Sequence, residues 1–341
     1  MSVRKNRQKR QKKRSILIAL LMIMLTGVIL TTSTYAWFTA NKTVTVSNID
    51  VNVAATNGLQ ISVDATNWKT VITNDDINGV ATAYPTSVNQ LPSEANSLNP
   101  VSTVKEIDAT TGFMKMFLGE LTDSDGSYIL TTSQSTETRG QAGNFVAFDL
   151  FFQVQQETII YLTSNSNVKV PDGKTSTGIQ NAARIAFIDA GNVAAGSTAS
   201  QAQALKAAAN ASVVLWEPNY DVHTAAAVKA ANDYYSKETQ ETGATQLEYY
   251  GVKTAIPTSD KVAVNSTSDT YFTKVTPDIS TTASGIPDTA YKQLMTLNPG
   301  ITKVRVYMWV EGQDVDCENF ASGGYLSYNL QFSSNPNANA G

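Results

Sequence analysis

Apolar and polar residues alternate with a period of two along several segments of the chain, a pattern typical of half-buried β-strands. The clearest case is 325–332, where every second residue is apolar, and 303–310 repeats the pattern. The segment 145–154 is apolar at both parities, which predicts a strand covered on both faces. A further strand is expected at 158–162, and the short gap between these two strands favours their pairing.

A strand near the N-terminus changes parity partway along. Its apolar residues fall into two sets, one before and one after Ser47 and Asn48, so we expect a bulge at that point. The strand is therefore predicted to be irregular but buried along most of its length. Its apolar residues are Val44, Val46, Ile49, Val51 and Val53.

The middle of the chain has a different composition. The segments 199–211 and 223–237 are rich in alanine, which favours two surface helices. Segments around them are rich in Thr, Ser, Asp and Gly, so we interpret about 171–299 as a helix- and loop-containing insertion. Alternating strands without a βαβ rhythm indicate an all-β protein, a β-sandwich of jelly-roll type spanning 37–333. The last segment, 334–341, is polar and is predicted to be a disordered tail.

The first 36 residues have the features of a secretory signal peptide. Eight Lys and Arg residues without an acidic residue precede an apolar stretch at 16–30. Thr34 and Ala36 have short side chains, so a signal peptidase is expected to cut between Ala36 and Trp37. The alternative is an uncleaved membrane anchor, because 16–38 is nearly long enough to span a bilayer. The prediction is a protein that is secreted to the extracellular space or the cell surface and contacts the membrane only through its leader before cleavage.

Removing the leader leaves 17 basic and 29 acidic residues, a net charge of −12. This balance argues against a nucleic-acid partner. Cys317 is the only cysteine, so no intrachain disulfide forms and stability has to come from burial. A secreted chain with few charges and without disulfides fits the surface of a Gram-positive bacterium.

Few residues suggest catalysis. His223 is the only histidine, which excludes a two-histidine metal site within one chain, and we predict that the protein is not an enzyme. An acidic segment after the strand at 303–310 is the remaining candidate for a ligand site, because Ca²⁺ prefers several carboxylate and carbonyl oxygens. The alternative is a solvated acidic turn, and no other cofactor is expected. The candidate ligands are Glu311, Asp314, Asp316 and Glu318.

The segment 34–39, followed by the strand at 44–53, resembles the leader and first strand of the camelysin and TasA proteins of Bacillus and related Firmicutes. In that group a dedicated signal peptidase of the SipW type cuts at a comparable site, which would place Trp37 at the mature N-terminus. The resemblance implies a jelly-roll subunit of biofilm-matrix fibres, in which the N-terminal segment is inserted as a strand into the next subunit. Camelysin has been described as a metalloprotease, but a chain with one histidine and no recognised zinc motif does not support that activity here.

These observations favour a structural subunit of an extracellular fibre or matrix, with other copies of the same chain as its partners. The strand at 44–53 is the candidate donor strand, and an ordinary first strand paired within its own domain is the alternative. A second function also stays open, namely a surface adhesin that presents a glycan- or protein-binding site on the insertion at 171–299.

Overall fold

A computed structural model describes Trp37 and the ranges 44–54, 59–92, 98–124, 127–225, 227–228, 246–263, 266–318 and 321–337. All of these residues belong to one compact unit, Tyr35–Gly341. The predicted leader, including Ala36, lies outside the described residues. Among the described residues, no helix has the length and apolar character needed to cross a membrane.

Strands make up most of the regular secondary structure of the described residues. Two short helices are α1 (Asn74–Gly79) and α2 (Ala199–Gln203), and single 3₁₀ turns lie at Val80–Thr82, Ile179–Ala182 and Thr258–Asp260. The strands are β1 (Thr45–Val53), β2 (Gln60–Ser62), β3 (Val71–Ile72), β4 (Val101–Ser102), β5 (Met116–Ser124), β6 (Ser127–Ser135), β7 (Val146–Val154), β8 (Thr158–Leu162), β9 (Asn167–Lys169), β10 (Ala183–Val193), β11 (Val213–Glu217), β12 (Tyr249–Val252), β13 (Phe272–Val275), β14 (Ile279–Ser280), β15 (Lys292–Leu297), β16 (Gly300–Val310) and β17 (Tyr325–Ser333).

Two six-stranded sheets form the body of the protein. The first has the order β15-β8-β17-β1-β3, with β9 also paired to β17, and the second has the order β14-β11-β10-β16-β7-β2. Apolar side chains of both sheets meet in one core, where the Phe332 ring lies edge-on against Phe152 and Phe187 at centroid distances of 5.2 and 6.0 Å. The predicted all-β sandwich is therefore confirmed.

The second sheet is buried on both faces. Every residue of β16 is buried, and β7 is buried at all but one position, which confirms the prediction for 145–154. Its outer face packs against two small sheets, β4-β5-β6 and β12-β13, through residues such as Tyr307 and Trp309. The protein thus has a third layer that the alternating pattern did not indicate.

Strand β1 follows the sequence prediction closely. Its register on β17 shifts between Val46 and Asn48, at the bulge expected from the change of parity. It runs parallel to β17 and pairs with β3 on its other side through Val51 and Asn52. The first and last strands of the domain are therefore neighbours, and β3 alone separates β1 from the edge of the sheet.

Several boundaries predicted from composition are wrong. The range 171–299 is not an insertion as a whole, because β10, β11 and β14 belong to the second sheet and β15 to the first. Strand β8 pairs with β15 and β17 in the first sheet rather than with β7. The tail is placed through residue 337, and the Pro336 carbonyl accepts a hydrogen bond from Tyr291 N at 3.0 Å.

The first alanine-rich helix is shorter than expected. Helix α2 ends at Gln203, although the composition predicted a helix through residue 211. Its first turn is closed by a capping box in which Thr198 N donates to Gln201 Oε1 at 2.8 Å and Gln201 N donates to Thr198 Oγ1 at 3.3 Å. Alanine favours a helix, but most of the stability of a short helix comes from tertiary packing, so a high alanine content alone does not extend it. Most of the second predicted helix, 223–237, lies outside the described residues.

Candidate functional site

Trp37, the residue after the predicted cleavage point, is buried between two glycines. A Cβ atom on either Gly119 or Gly312 would lie 2.5 Å from the nearest atom of the indole ring. The rest of the cavity is lined by side chains of the third layer, and we call the whole enclosure the Trp37 slot. Its apolar wall consists of Phe117, Leu130, Val252, Ile256 and Phe272.

A hydrogen bond fixes the tryptophan in this slot. The indole Nε1–H donates to Gln313 Oε1 at 3.0 Å, and Gln313 Nε2 in turn donates to the Tyr250 carbonyl at 3.1 Å. Because Gln313 is fully buried, its amide is held in one orientation by these two contacts. The slot therefore recognises both the ring and the N–H group of tryptophan.

The backbone of Trp37 is strained. Its φ of 73° lies in the left-handed region, which costs of order 1–3 kcal/mol for a residue other than glycine. The amide N–H of Trp37 is hydrogen-bonded to the Cys317 thiol, whose pKa is nevertheless raised because the group is buried. Burial of the ring and the two hydrogen bonds offset the backbone strain.

We expect Gly312→Ala to destabilise the protein by about 1–3 kcal/mol, because the added methyl group overlaps the Trp37 ring. Chemical denaturation measures the loss. The matched control is Gly79→Ala, since a Cβ at that position meets no atom within 4 Å. If the overlap is the cause, the cost of Gly312→Ala shrinks in a Trp37→Ala background. An unchanged cost in that background would show that the slot is not what excludes the side chain.

The segment that forms one wall of the slot is also the acidic segment noted in the sequence. We define the acidic turn as 311–318, directly after β16. The expectation of a solvated turn is wrong, because the four carboxylates and Gln313 are all buried. The carboxylate residues are Glu311, Asp314, Asp316 and Glu318.

Arg184 neutralises part of this buried charge. One guanidinium nitrogen lies 2.5 Å from Glu217 Oε1 and also contacts the Asp314 carboxylate, and the side chain is fully buried. Its other terminal nitrogen donates to the carbonyls of Asn181 and Ala183 at 3.1 and 3.0 Å. Burial alone would lower the pKa of Arg184, but the charges of Glu217 and Asp314 raise it well above its usual value.

His223 contacts a second carboxylate of the turn. Its Nδ1 lies 2.5 Å from Asp316 Oδ2, and its Nε2 lies 2.9 Å from the Tyr220 carbonyl oxygen. A neutral imidazole has one N–H group, so the two contacts are both satisfied when the His223–Asp316 pair holds one additional proton. Burial raises the pKa of Asp316 to about 6, against the opposing effect of the hydrogen bond from His223.

Glu311 has hydrogen-bond donors but no ion pair within the described residues. Trp309 Nε1 donates to Glu311 Oε2 at 3.1 Å, and Gln313 N donates to Oε1 at 3.1 Å. Burial raises the pKa of Glu311 to about 7, and the hydrogen bond from the Ser102 hydroxyl only partly opposes this increase. Glu318 accepts a hydrogen bond from Thr224 Oγ1 at 2.7 Å, and burial raises its pKa as well.

The calcium hypothesis requires the four carboxylates to converge on a common point, and they do not. Asp314 faces Arg184, Asp316 faces His223, and Glu311 faces Trp309. In the part of the chain that the structure describes, no group of three or more His, Cys, Asp or Glu side chains has an arrangement that could hold a metal ion. What the structure brings together instead is the acidic turn and Trp37, which the sequence had singled out separately.

The five candidate donor-strand residues, Val44, Val46, Ile49, Val51 and Val53, are all buried. Val46 to Val53 lie on β1, and Val44 forms a bridge with Leu98 through hydrogen bonds of 2.8 and 2.7 Å. In this structure they therefore complete the core of their own domain, as the alternative interpretation of the strand expected.

A second buried charge cluster was missed from the sequence. Arg305 of β16 lies opposite Asp149 of β7 in the register, and its Nη1 lies 3.0 Å from Asp149 Oδ1. Lys303 Nζ lies 3.1 Å from Asp149 Oδ2 and donates to Tyr84 Oη at 2.9 Å. A cavity of about 360 Å³ opens beside these groups. The only sign of this cluster in the sequence is that two basic residues, Lys303 and Arg305, lie within a predicted strand. Basic residues in a strand normally face solvent.

Comparisons of the chain with protein-family models, with curated proteins and with solved structures found no match. The function is therefore argued from the fold and from the geometry of the Trp37 slot.

Proposed function

We propose that the protein is a secreted structural subunit that assembles outside the cell into a fibre or matrix, with β1 exchanged between copies. The observation that carries this proposal is the position of β1. It completes the apolar core beside the last strand of the domain, and only the two-residue strand β3 lies outside it.

A strand in this position can be supplied by another copy of the chain at little net cost. If β1 leaves its sheet, it exposes the hydrogen-bonding edge of β17 and the core surface that Ile49 and Val51 cover. The same segment of a neighbouring copy satisfies both. The resulting contact is head-to-tail, so it propagates into a polymer rather than closing as a dimer.

The Trp37 slot adds a second, specific contact to the same segment. A donated segment would carry Trp37 into the slot of its neighbour as well as β1 into the sheet. The register is then set at two places, by the indole hydrogen bond to Gln313 and by the alternating side chains of β1. The adhesin alternative lacks such support, because much of the proposed insertion belongs to the two main sheets.

A disulfide between neighbouring strands distinguishes donated from intramolecular pairing. Asn52 of β1 and Gln331 of β17 are register partners, and Gln331 Nε2 donates a hydrogen bond to Asn52 Oδ1 at 2.7 Å. We expect the Asn52→Cys, Gln331→Cys double variant, assembled and then oxidised, to give a ladder of covalent oligomers on a non-reducing gel. The reason is that the bond then joins β1 of one copy to β17 of the next.

The matched control is a Ser327→Cys, Lys169→Cys pair, which joins β17 to β9 within one copy whether or not β1 is donated. Variants that carry only one cysteine of each pair measure how much cross-linking occurs at random. Electron microscopy of the chain beginning at Trp37, across salt, pH and calcium concentrations, reports assembly. Fibres that contain only intramolecular 52–331 bonds would contradict strand donation, and particles that stay monomeric in every condition would contradict the structural role.

A further inference from the structure

The cavity beside Asp149 has a buried floor and an exposed mouth. Its volume of about 360 Å³ lies at the lower end of the range for small-molecule sites, roughly 300–1,000 Å³. A molecule with the size of a single six-membered ring therefore has both room and access. The polar residues of the floor are Tyr84, Asp149, Lys303 and Arg305, which are all buried. The residues of the mouth are Thr86, Thr111, Ala204 and Lys206, which are all exposed.

Positive charge predominates at this cavity, although the chain as a whole is acidic. Among the described residues of the lining, Lys206, Lys303 and Arg305 are basic and Asp149 is acidic. Glu137 lies outside the lining and is paired with Arg305, so the group as a whole has one positive charge in excess. A concave site in which one sign of charge predominates attracts ligands of the opposite sign. The cavity therefore favours an anion.

One hydrogen-bond donor of the floor is unused. Lys303 Nζ donates to Tyr84 Oη and to the carbonyls of Gln203 and Leu205, at 2.9, 3.0 and 2.9 Å, so its three hydrogens all have acceptors. Both terminal nitrogens of Arg305 also have partners, but its Nε–H has none among the described residues. A buried N–H group without an acceptor is costly, so this position favours an oxygen atom of a ligand.

Lys206 and Phe113 add a second donor and an aromatic wall. Lys206 Nζ donates to two main-chain carbonyls at 2.7 and 3.3 Å, and an ammonium group has three hydrogens, so one remains for a ligand. The centre of the Phe113 ring, which also lines the cavity, lies 4.9 Å from Cζ of Arg305. The charges of Asp108 and Arg139 on the loops around the mouth have opposite signs, and both are hydrogen-bonded to main-chain groups. An aromatic ring beside two cationic donors suits a ligand that has both C–H groups on a ring and a carboxylate.

We propose that the cavity binds a sugar acid, a six-membered ring that bears hydroxyl groups and one carboxylate. Arg305 Nε and Lys206 Nζ donate to the carboxylate, and Phe113 packs on the C–H groups of the sugar ring. The hydroxyls of Thr86 and Thr111 bond to those of the ligand. Because the mouth is exposed, the ligand is either a free sugar acid or the terminal residue of an acidic polysaccharide. The site goes beyond the proposed function, and in a matrix subunit it would attach such a polysaccharide.

Isothermal titration calorimetry tests the site with glucuronate, galacturonate and mannuronate, on the monomeric fraction of the chain beginning at Trp37. We expect at least one of them to bind at one site per chain, about tenfold or more tightly than the corresponding neutral sugar, because the carboxylate adds charge-assisted hydrogen bonds. Ala204→Phe places a ring in the mouth and is expected to abolish binding, whereas Ala208→Phe, at an exposed position outside the lining, should retain it. Lys206→Met is expected to weaken binding about tenfold. Its control, Lys274→Met, removes an exposed cation elsewhere and should leave the affinity unchanged.

A trimer of the bound sugar acid distinguishes the two sources. Binding as tight as that of the monomer identifies the end of a polysaccharide, and exclusion of the trimer identifies a free sugar acid. The proposal is overturned if none of the three sugar acids binds at millimolar concentration, or if the neutral sugar or acetate binds equally well. Binding that Ala204→Phe and Lys206→Met both leave unchanged would also overturn it, and if Ala204→Phe does not fold, the exposed Lys206→Met decides. Because the titrations use monomers, a negative result is distinguishable from a failure to assemble in electron microscopy.

Discussion

Replacing Arg184 with methionine is expected to lower the free energy of unfolding by about 3–5 kcal/mol, the usual cost of removing one partner from a buried ion pair. Arg184 is fully buried between Glu217 and Asp314 and also donates to two carbonyl groups. The substitution keeps the apolar volume of the side chain but leaves two buried carboxylates without their cation. Chemical denaturation of the purified variant at neutral pH measures the loss.

Two comparisons show that the unpaired charge is the cause. Lys274→Met removes an exposed pair with Glu248 and is expected to cost less than about 1 kcal/mol. Combining Arg184→Met with Glu217→Gln and Asp314→Asn removes the charge from all three residues, so we expect much of the lost stability to return. If the triple variant is as unstable as the single one, the role of Arg184 is packing rather than neutralisation.

The strands could be predicted from the sequence, but their partners could not. Alternation in β1 and β17 indicated two half-buried strands, and the change of parity located the bulge near Ser47. The same pattern does not say which strand lies alongside. The pairing of β1 with β17 joins the two ends of the domain, and the short 155–157 connection crosses between sheets instead of forming a hairpin. A period of two identifies a face, whereas the partner depends on the whole topology.

The acidic turn shows why the site was harder to predict than the fold. A solvated turn and a buried turn can have similar amino-acid sequences. The groups that pair with the buried carboxylates, Arg184 and His223, come from distant parts of the chain. Glycines at 119 and 312 gave no signal for the Trp37 slot, because their role is visible only once a ring lies between them. For the same reason nothing in the sequence indicated that Arg305 is buried.

The stability of the chain that keeps an amide bond at Trp37 is expected to fall as the pH rises from 4.5 to 7. Burial raises the pKa of Glu311 from 4.5 to about 7. Below pH 4.5 both the folded and the unfolded chain hold the Glu311 proton, so no penalty exists. Between the two values the unfolded chain releases the proton and the folded chain does not, which favours unfolding. The shift corresponds to a loss of about 3 kcal/mol at this residue by neutral pH.

Urea denaturation of the N-terminally extended chain at a series of pH values measures this fall, and Glu311→Gln should flatten it. Asp316, Glu217 and Glu318 also have raised pKa values, so a shallower fall in the same direction is expected to remain in that variant. A wild-type profile that rises between pH 4.5 and 7, or one that Glu311→Gln leaves unchanged, would show that the carboxyl of Glu311 is already ionised in the folded chain and that its burial does not cause the pH dependence.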